Sequence, residues 1–205
     1  WLRDGEYMEA DMERRTVETE TVVYEMLEGG MGYVQLMEFD EITVKQMEEA
    51  LEALQNQGMK GLILDLRDNP GGLLDAVTEI SDMLAPKGVV TTIKDKNGNE
   101  DMYRTGDNDY LNIPLVVLVN GNSASASEIL TGVVRDYELG TIVGTKTFGK
   151  GIVQSVFSLG DGSAMKVTMA DYYTPNGENI HGVGIEPDVI VEQNEDTEAD
   201  EQLNE

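Results

Sequence analysis

Along the chain, apolar and polar positions alternate with two different periods, and the switches between them mark the elements. Glu6-Tyr7-Met8-Glu9-Ala10-Asp11-Met12-Glu13 has a period near 2, the spacing of strands. Asp4-Gly5 between two such runs is a hairpin turn signal, and a hairpin this small does not fold alone. Gly32 to Phe39 reads as a strand. Thr43 then caps a helix in which Met47, Leu51 and Leu54 recur at helical spacing until Gly58 ends it. Gly61 to Leu66 is a buried strand, Leu73 to Leu84 a helix stopped before Pro86, and Val89 to Ile93 a strand. A turn at Lys96-Asn97-Gly98 leads to a short strand around Met102-Tyr103. Pro114 to Val119 is the most apolar run, as expected of a parallel strand covered on both faces, and Ala126 to Tyr137 follows as a helix. Strands are predicted again at 141–143, 153–159 and 165–173. Strands alternating with helices predict an α/β core of roughly 150 residues beginning near Gly30. The tail from Glu192, dense in Asp, Glu, Asn and Gln, is expected to be mobile or to begin a further region.

Composition narrows the chemistry more than it names it. In 205 residues, 40 acidic side chains face 14 basic ones, a net charge of −26 that argues against nucleic acid as a partner. The apolar run ending at Val119 stops at Asn120, far short of the ~18 residues a membrane span needs. With no cysteine there is no disulfide, thiolate nucleophile or cysteine-based zinc site, and one histidine excludes a multi-histidine metal centre. The sequence opens at Trp1, without an initiator methionine or leader, and so reads as a fragment.

Three segments place polar or glycine residues at the carboxyl ends of predicted strands, where α/β folds bring ligands to the sheet edge. They are Asp65 to Gly72, Asn120 to Glu128 and Thr145 to Gly151. The second lies between a buried strand and a helix, where a serine gains exposure and helix N-terminal amides can hold an oxyanion. Ser123, Ser125 and Ser127 are equally readable there as capping or turn residues. A nucleophilic serine needs a base. His181, the single histidine, sits in a glycine-flanked loop. A lysine serves when burial disfavours its ammonium form, and Lys150, between two glycines and beside Phe148, suits that role better than Lys146. Pro70-Gly71-Gly72 can aim backbone N–H groups at an oxyanion or a phosphate, or simply turn the chain.

Taken together, these segments resemble the C-terminal processing (tail-specific) peptidases. The resemblance rests on Gly-Tyr-Val-Gln-Leu from 32, Leu-Asp-Leu-Arg-Asp-Asn-Pro-Gly-Gly ending at 72, Ser-Ala-Ser-Ala-Ser-Glu at 123–128, Thr-Phe-Gly-Lys-Gly at 147–151 and Gly-Ile-Glu-Pro-Asp at 184–188. It implies a core similar to crotonases and caseinolytic proteases, spanning 22–192. Residues 1–21 would be the last hairpin of a truncated PDZ domain, and 193–205 an acidic tail or the start of a helical region. It further implies a serine endopeptidase with Ser125 as nucleophile, Lys150 as general base and Gln154 orienting the lysine amine. The oxyanion donors would be the N–H groups of Ala126 and of Gly71 or Gly72, with Gly71 slightly favoured. No metal or cofactor is expected. The implied substrates are proteins with flexible, apolar carboxyl-terminal tails, recruited by the PDZ domain. The implied setting is bacterial and extracytoplasmic, periplasmic or membrane-anchored; homodimerisation of a full-length protein stays open. An acyl-binding protein without proteolysis, a silent tail-binding scaffold and a Ser-His-Asp hydrolase using His181 are the rival readings.

Overall fold

A computed structural model describes residues 2–3, 5–9, 11, 13–14, 18–107, 109–193 and 200–204. The first hairpin forms where Asp-Gly predicts it, β1 (Leu2–Arg3) pairing antiparallel with β2 (Glu6–Tyr7). Its connection to the core through 10, 12 and 15–17 lies outside the described residues.

Beyond it come β3 (Val22–Met26), β4 (Met31–Leu36), α1 (Thr43–Asn56), β5 (Gly61–Asp65), α2 (Leu74–Leu84), β6 (Val89–Asp95) and β7 (Glu100–Arg104). They are followed by β8 (Leu115–Val119), α3 (Ala126–Asp136), β9 (Thr141–Gly144), β10 (Ile152–Ser158), β11 (Ala164–Tyr173), β12 (Val189–Ile190) and the short α4 (Glu201–Asn204). The α/β class holds, but the strands divide between sheets of different kinds. A six-stranded sheet in the order β12-β9-β8-β5-β4-β3 is parallel except for β3, which pairs antiparallel with β4. A four-stranded antiparallel sheet has the order β10-β11-β6-β7.

In the parallel sheet the chain steps in one direction, β4 to β5 to β8 to β9, with a crossover after each. Right-handed crossovers then put α1, α2 and α3 on one face, where each packs on the next. The apolar stripes predicted from spacing are what meet there. Val34, Leu36, Leu62, Leu64, Val117 and Val119 face Met47, Leu51, Leu54, Val77, Ile80, Leu84, Leu130 and Val133, all buried. At roughly 1.5–3 kcal/mol per fully buried aliphatic side chain, this layer holds the strand ends in register.

Two local expectations change. Thr43 is the first residue of α1 rather than its cap. Its hydroxyl, fully buried, accepts the Asp40 N–H at 2.9 Å and donates to Glu38 O at 3.1 Å, tying the preceding loop. The acidic tail is not loose throughout, either, although 194–199 and 205 lie outside the described residues. The Arg67 guanidinium holds both Asp200 oxygens at 2.7 Å and Asp65 Oδ1 at 2.9 Å, and buried Gln202 donates to Val191 O at 2.7 Å. Despite burial, which works the other way, the hydrogen bonds Arg67 donates to Asp65 and Asp200 raise its pKa further, and the one to Asp200 lowers the Asp200 pKa.

Candidate active site

Because β5, β8 and β9 are parallel neighbours, the loops after them emerge at one edge of the sheet, with Asp65 paired to Leu118 and Val119 to Gly144. The three segments singled out in sequence therefore meet. The loop after β5 is stitched to the loop after β8 by Ser123 Oγ donating to Leu66 O at 2.7 Å, Ala124 N to Asn69 O at 3.0 Å and Ser127 Oγ to Asn69 O at 2.9 Å. Asn120 and Asn122 side-chain amides both donate to Asp68 Oδ1, at 3.0 and 2.8 Å, and lower its pKa. Phe148 N donates to Ser123 O at 3.1 Å, joining the loop after β9.

These bonds separate the three serines. Ser123 and Ser127 are fully buried with their hydroxyls committed to carbonyls. Ser125 is only half-buried and lines a cleft of ≈ 500 Å³ together with Gly71, Gly72, Ala126, Lys150, Gln154 and Tyr172. It is held at φ 56°, ψ −113° at the N-terminus of α3, a left-handed conformation that costs a non-glycine residue roughly 1–3 kcal/mol and persists only where surrounding bonds fix it. Leu73, Leu74, Ile129, Ile152 and Val153 make the cleft's apolar wall. A larger depression of ≈ 780 Å³, rimmed by Glu48, Glu52, Glu79, Asp82 and Asp109, contains neither Ser125 nor Lys150.

The backbone donors sort themselves in the same way. Gly71 N–H is taken by its neighbour's side chain, Asn69 Oδ1, at 2.9 Å, and the Asn69 amide donates in turn to Leu36 O at 2.7 Å. Among the described residues, neither Gly72 N–H nor Ala126 N–H has an acceptor. Gly72, rather than the slightly favoured Gly71, is thus the glycine whose N–H is free among the described residues, because the Asn69 side chain occupies that of Gly71.

The two candidate bases other than Lys150 do not line this cleft. Lys146 pairs with Glu186 at 2.9 Å, and exposed His181 does not line the cleft. Gln154 shares the cleft with Lys150, but its Nε2 donates to Thr168 Oγ1 at 3.3 Å, and no hydrogen bond joins it to the lysine among the described residues. The register between β10 and β11 skips Met169 between Val153 and Gln154, which sets Gln154 opposite Thr168. Ser125 and Lys150 share no hydrogen bond either; catalytic bonds commonly close only when substrate fills the site.

Two residues that the sequence reading passed over organise the site. Glu128, fully buried, accepts N–H bonds from Ser125, Gly149 and Lys150 and the Thr147 hydroxyl. Its signal was present: Ser125-x-x-Glu128 is the spacing of a capping box. Tyr172, almost fully buried, donates to Ser125 O at 3.1 Å and to Lys150 O; burial, then the Glu128 charge, raise its pKa and keep the phenol protonated. Nothing local in sequence marks it. Among the described residues no group of three or more acidic or histidine side chains is placed to hold a metal, and no helix is long and apolar enough to cross a membrane.

Residues 30–191 match the family model described as Peptidase family S41. The carboxyl-terminal-processing protease of Synechocystis sp. is 44% identical over 163 residues, covering 80% of this chain and 38% of its own length. The carboxy-terminal processing protease CtpA of Bacillus subtilis is 37% identical over 186 residues, covering 90% of this chain and 40% of its own. The chain thus spans about two fifths of the length of such relatives. Among solved structures, a photosystem II D1 C-terminal processing protease superposes with a TM-score of 0.77 at 38% identity, over 87% of this chain and 50% of that one.

Proposed function

The chain belongs to peptidase family S41, and from that premise we propose that it carries the catalytic machinery of a serine endopeptidase with a Ser125–Lys150 dyad. The observation that carries this reading is the convergence on one cleft of Ser125, whose hydroxyl, unlike those of Ser123 and Ser127, donates to no carbonyl among the described residues, with Lys150 and with the Gly72 and Ala126 amides, which have no acceptor among those residues.

In this mechanism Ser125 Oγ attacks the scissile carbonyl carbon while Lys150 Nζ takes its proton. The carbonyl oxygen, now an oxyanion, accepts hydrogen bonds from Gly72 and Ala126 N–H, which are fixed beforehand by the strand ends and so need no reorganisation. The tetrahedral intermediate collapses, the lysine ammonium protonates the departing amine, and an acyl ester remains on Ser125. Lys150 then deprotonates a water that attacks the ester, and returns the proton to Ser125 Oγ. Gln154, which lines the same cleft, is assigned to orient the lysine amine. The apolar wall of Leu74, Ile129 and Val153 favours an apolar residue beside the scissile bond, which suits flexible apolar carboxyl-terminal tails as substrates. An extracytoplasmic bacterial setting and a PDZ origin for the 1–21 hairpin belong to the same reading.

Turnover of an internally quenched apolar peptide tests it. Ser125→Ala and Lys150→Ala are each expected to abolish turnover; retention of activity by either overturns the dyad.

A further inference from the structure

The peptide units of Ser125 and Lys150 are gripped by the same two buried side chains. One oxygen of Glu128, Oε2, accepts the Ser125 N–H at 3.0 Å and the Lys150 N–H at 2.8 Å. The two amide nitrogens are therefore no more than 5.8 Å apart, the sum of those distances, although they lie on separate loops. Oε1 accepts the Gly149 N–H at 2.7 Å and the Thr147 hydroxyl at 2.6 Å. The Thr147 hydroxyl oxygen in turn accepts the Ile185 N–H at 2.7 Å, which leaves its proton directed at Glu128. On the carbonyl side, the Tyr172 phenol donates to Ser125 O and Lys150 O.

All four partners of Glu128 are donors, and both of its oxygens accept. A glutamine of the same shape would turn an NH₂ group against a buried N–H pair. Capping α3 requires the Ser125 N–H alone; the bonds to Gly149 and Lys150 serve no helix.

We infer that Glu128 and Tyr172 are positioning residues of the dyad: one carboxylate and one phenol together set the separation and orientation of the backbone units that carry nucleophile and base. The inference rests on the proposed Ser125–Lys150 chemistry. The hydrogen bonds of both side chains to Ser125 and Lys150 go to backbone atoms, so both act through the backbone, and displacements on the order of 1 Å at such a site cost about 10²-fold in rate.

The test is the kinetics of Ser125 labelling by a fluorophosphonate probe in wild type, Glu128→Gln, Tyr172→Phe and the double variant, with final labelling stoichiometry and folding by circular dichroism measured together. Each single variant is expected to label to full stoichiometry with a maximal rate lowered about tenfold or more and an unchanged half-saturating probe concentration. The double variant is expected to lose less than the product of the two, since both act on one geometry. A purely structural role would lower the labelled fraction and leave the maximal rate of that fraction unchanged, and that result overturns the inference. Should Glu128→Gln not fold, Tyr172→Phe decides alone, because its ring still fills the same space. Wild type that fails to label at Ser125 would remove the dyad reading itself and the clamp with it.

Discussion

Gly71 leaves no room for a side chain beside Ser125. A Cβ at that position would lie 2.7 Å from Ser125 Cβ, 2.7 Å from Ala124 O and 2.9 Å from Ala126 N, at a φ of +99°. The glycine is thus required twice, once for its backbone conformation and once for the approach of the two loops. Gly71→Ala must push the segment carrying the nucleophile and the Ala126 donor away from the Gly72 donor. A loss of turnover of about 10²-fold or more is expected, with a stability loss of only about 1–3 kcal/mol. Turnover and urea unfolding of the same preparation check this.

The site also depends on Asn69, whose buried side chain joins two carbonyl-and-amide partners, Leu36 O at 2.7 Å and Gly71 N at 2.9 Å. Asn69→Ala leaves a buried donor and a buried acceptor unpaired, a loss of about 1–3 kcal/mol for each. Chemical denaturation measures it; a change below ~0.5 kcal/mol would contradict the arrangement.

The tail clasp has a pH signature. The hydrogen bond from Arg67 lowers the Asp200 pKa in the folded protein. A carboxyl depressed on folding stabilises fully above its unfolded value of about 3.9, and that contribution is lost as pH falls through the lower folded value. The stability difference between wild type and Asp200→Asn is therefore expected to stay constant from about pH 5 to 8 and to close below about pH 4. Paired urea titrations across that range check the sign.

His181 is exposed and outside the cleft, and Lys146 is engaged by Glu186. His181→Ala and Lys146→Ala are expected to keep turnover within about threefold of wild type. A collapse in the histidine variant would revive a Ser-His arrangement.

Much of this was legible in sequence because it is local. Met47, Leu51 and Leu54 mark α1 by spacing alone, and Pro114 to Val119 announces a strand covered on both faces. The three loops could be located because each follows an apolar strand. What local pattern cannot carry is pairing. β3, with exposed Val23 and Tyr24, gives no clean alternation and takes its identity from β4. The division into two sheets depends on Tyr172 and its neighbours on β11 reaching β6, far back in the chain. Tyr172 meets Ser125 and Lys150 only once both loops are in place, and the partner of Gln154 is set by a skipped residue on the facing strand. Glu128 is the intermediate case, since its capping spacing to Ser125 is local while its bonds to 147–150 are not.

The central claim is that Ser125 is made nucleophilic by Lys150. Fluorophosphonate labelling followed by intact mass and peptide mapping, on wild type and Lys150→Ala across pH, tests it most directly. The account predicts one adduct, on Ser125, formed at a rate that falls by about 10³-fold or more without the lysine at every pH tested. Labelling of Ser125 at the wild-type rate in Lys150→Ala would contradict it.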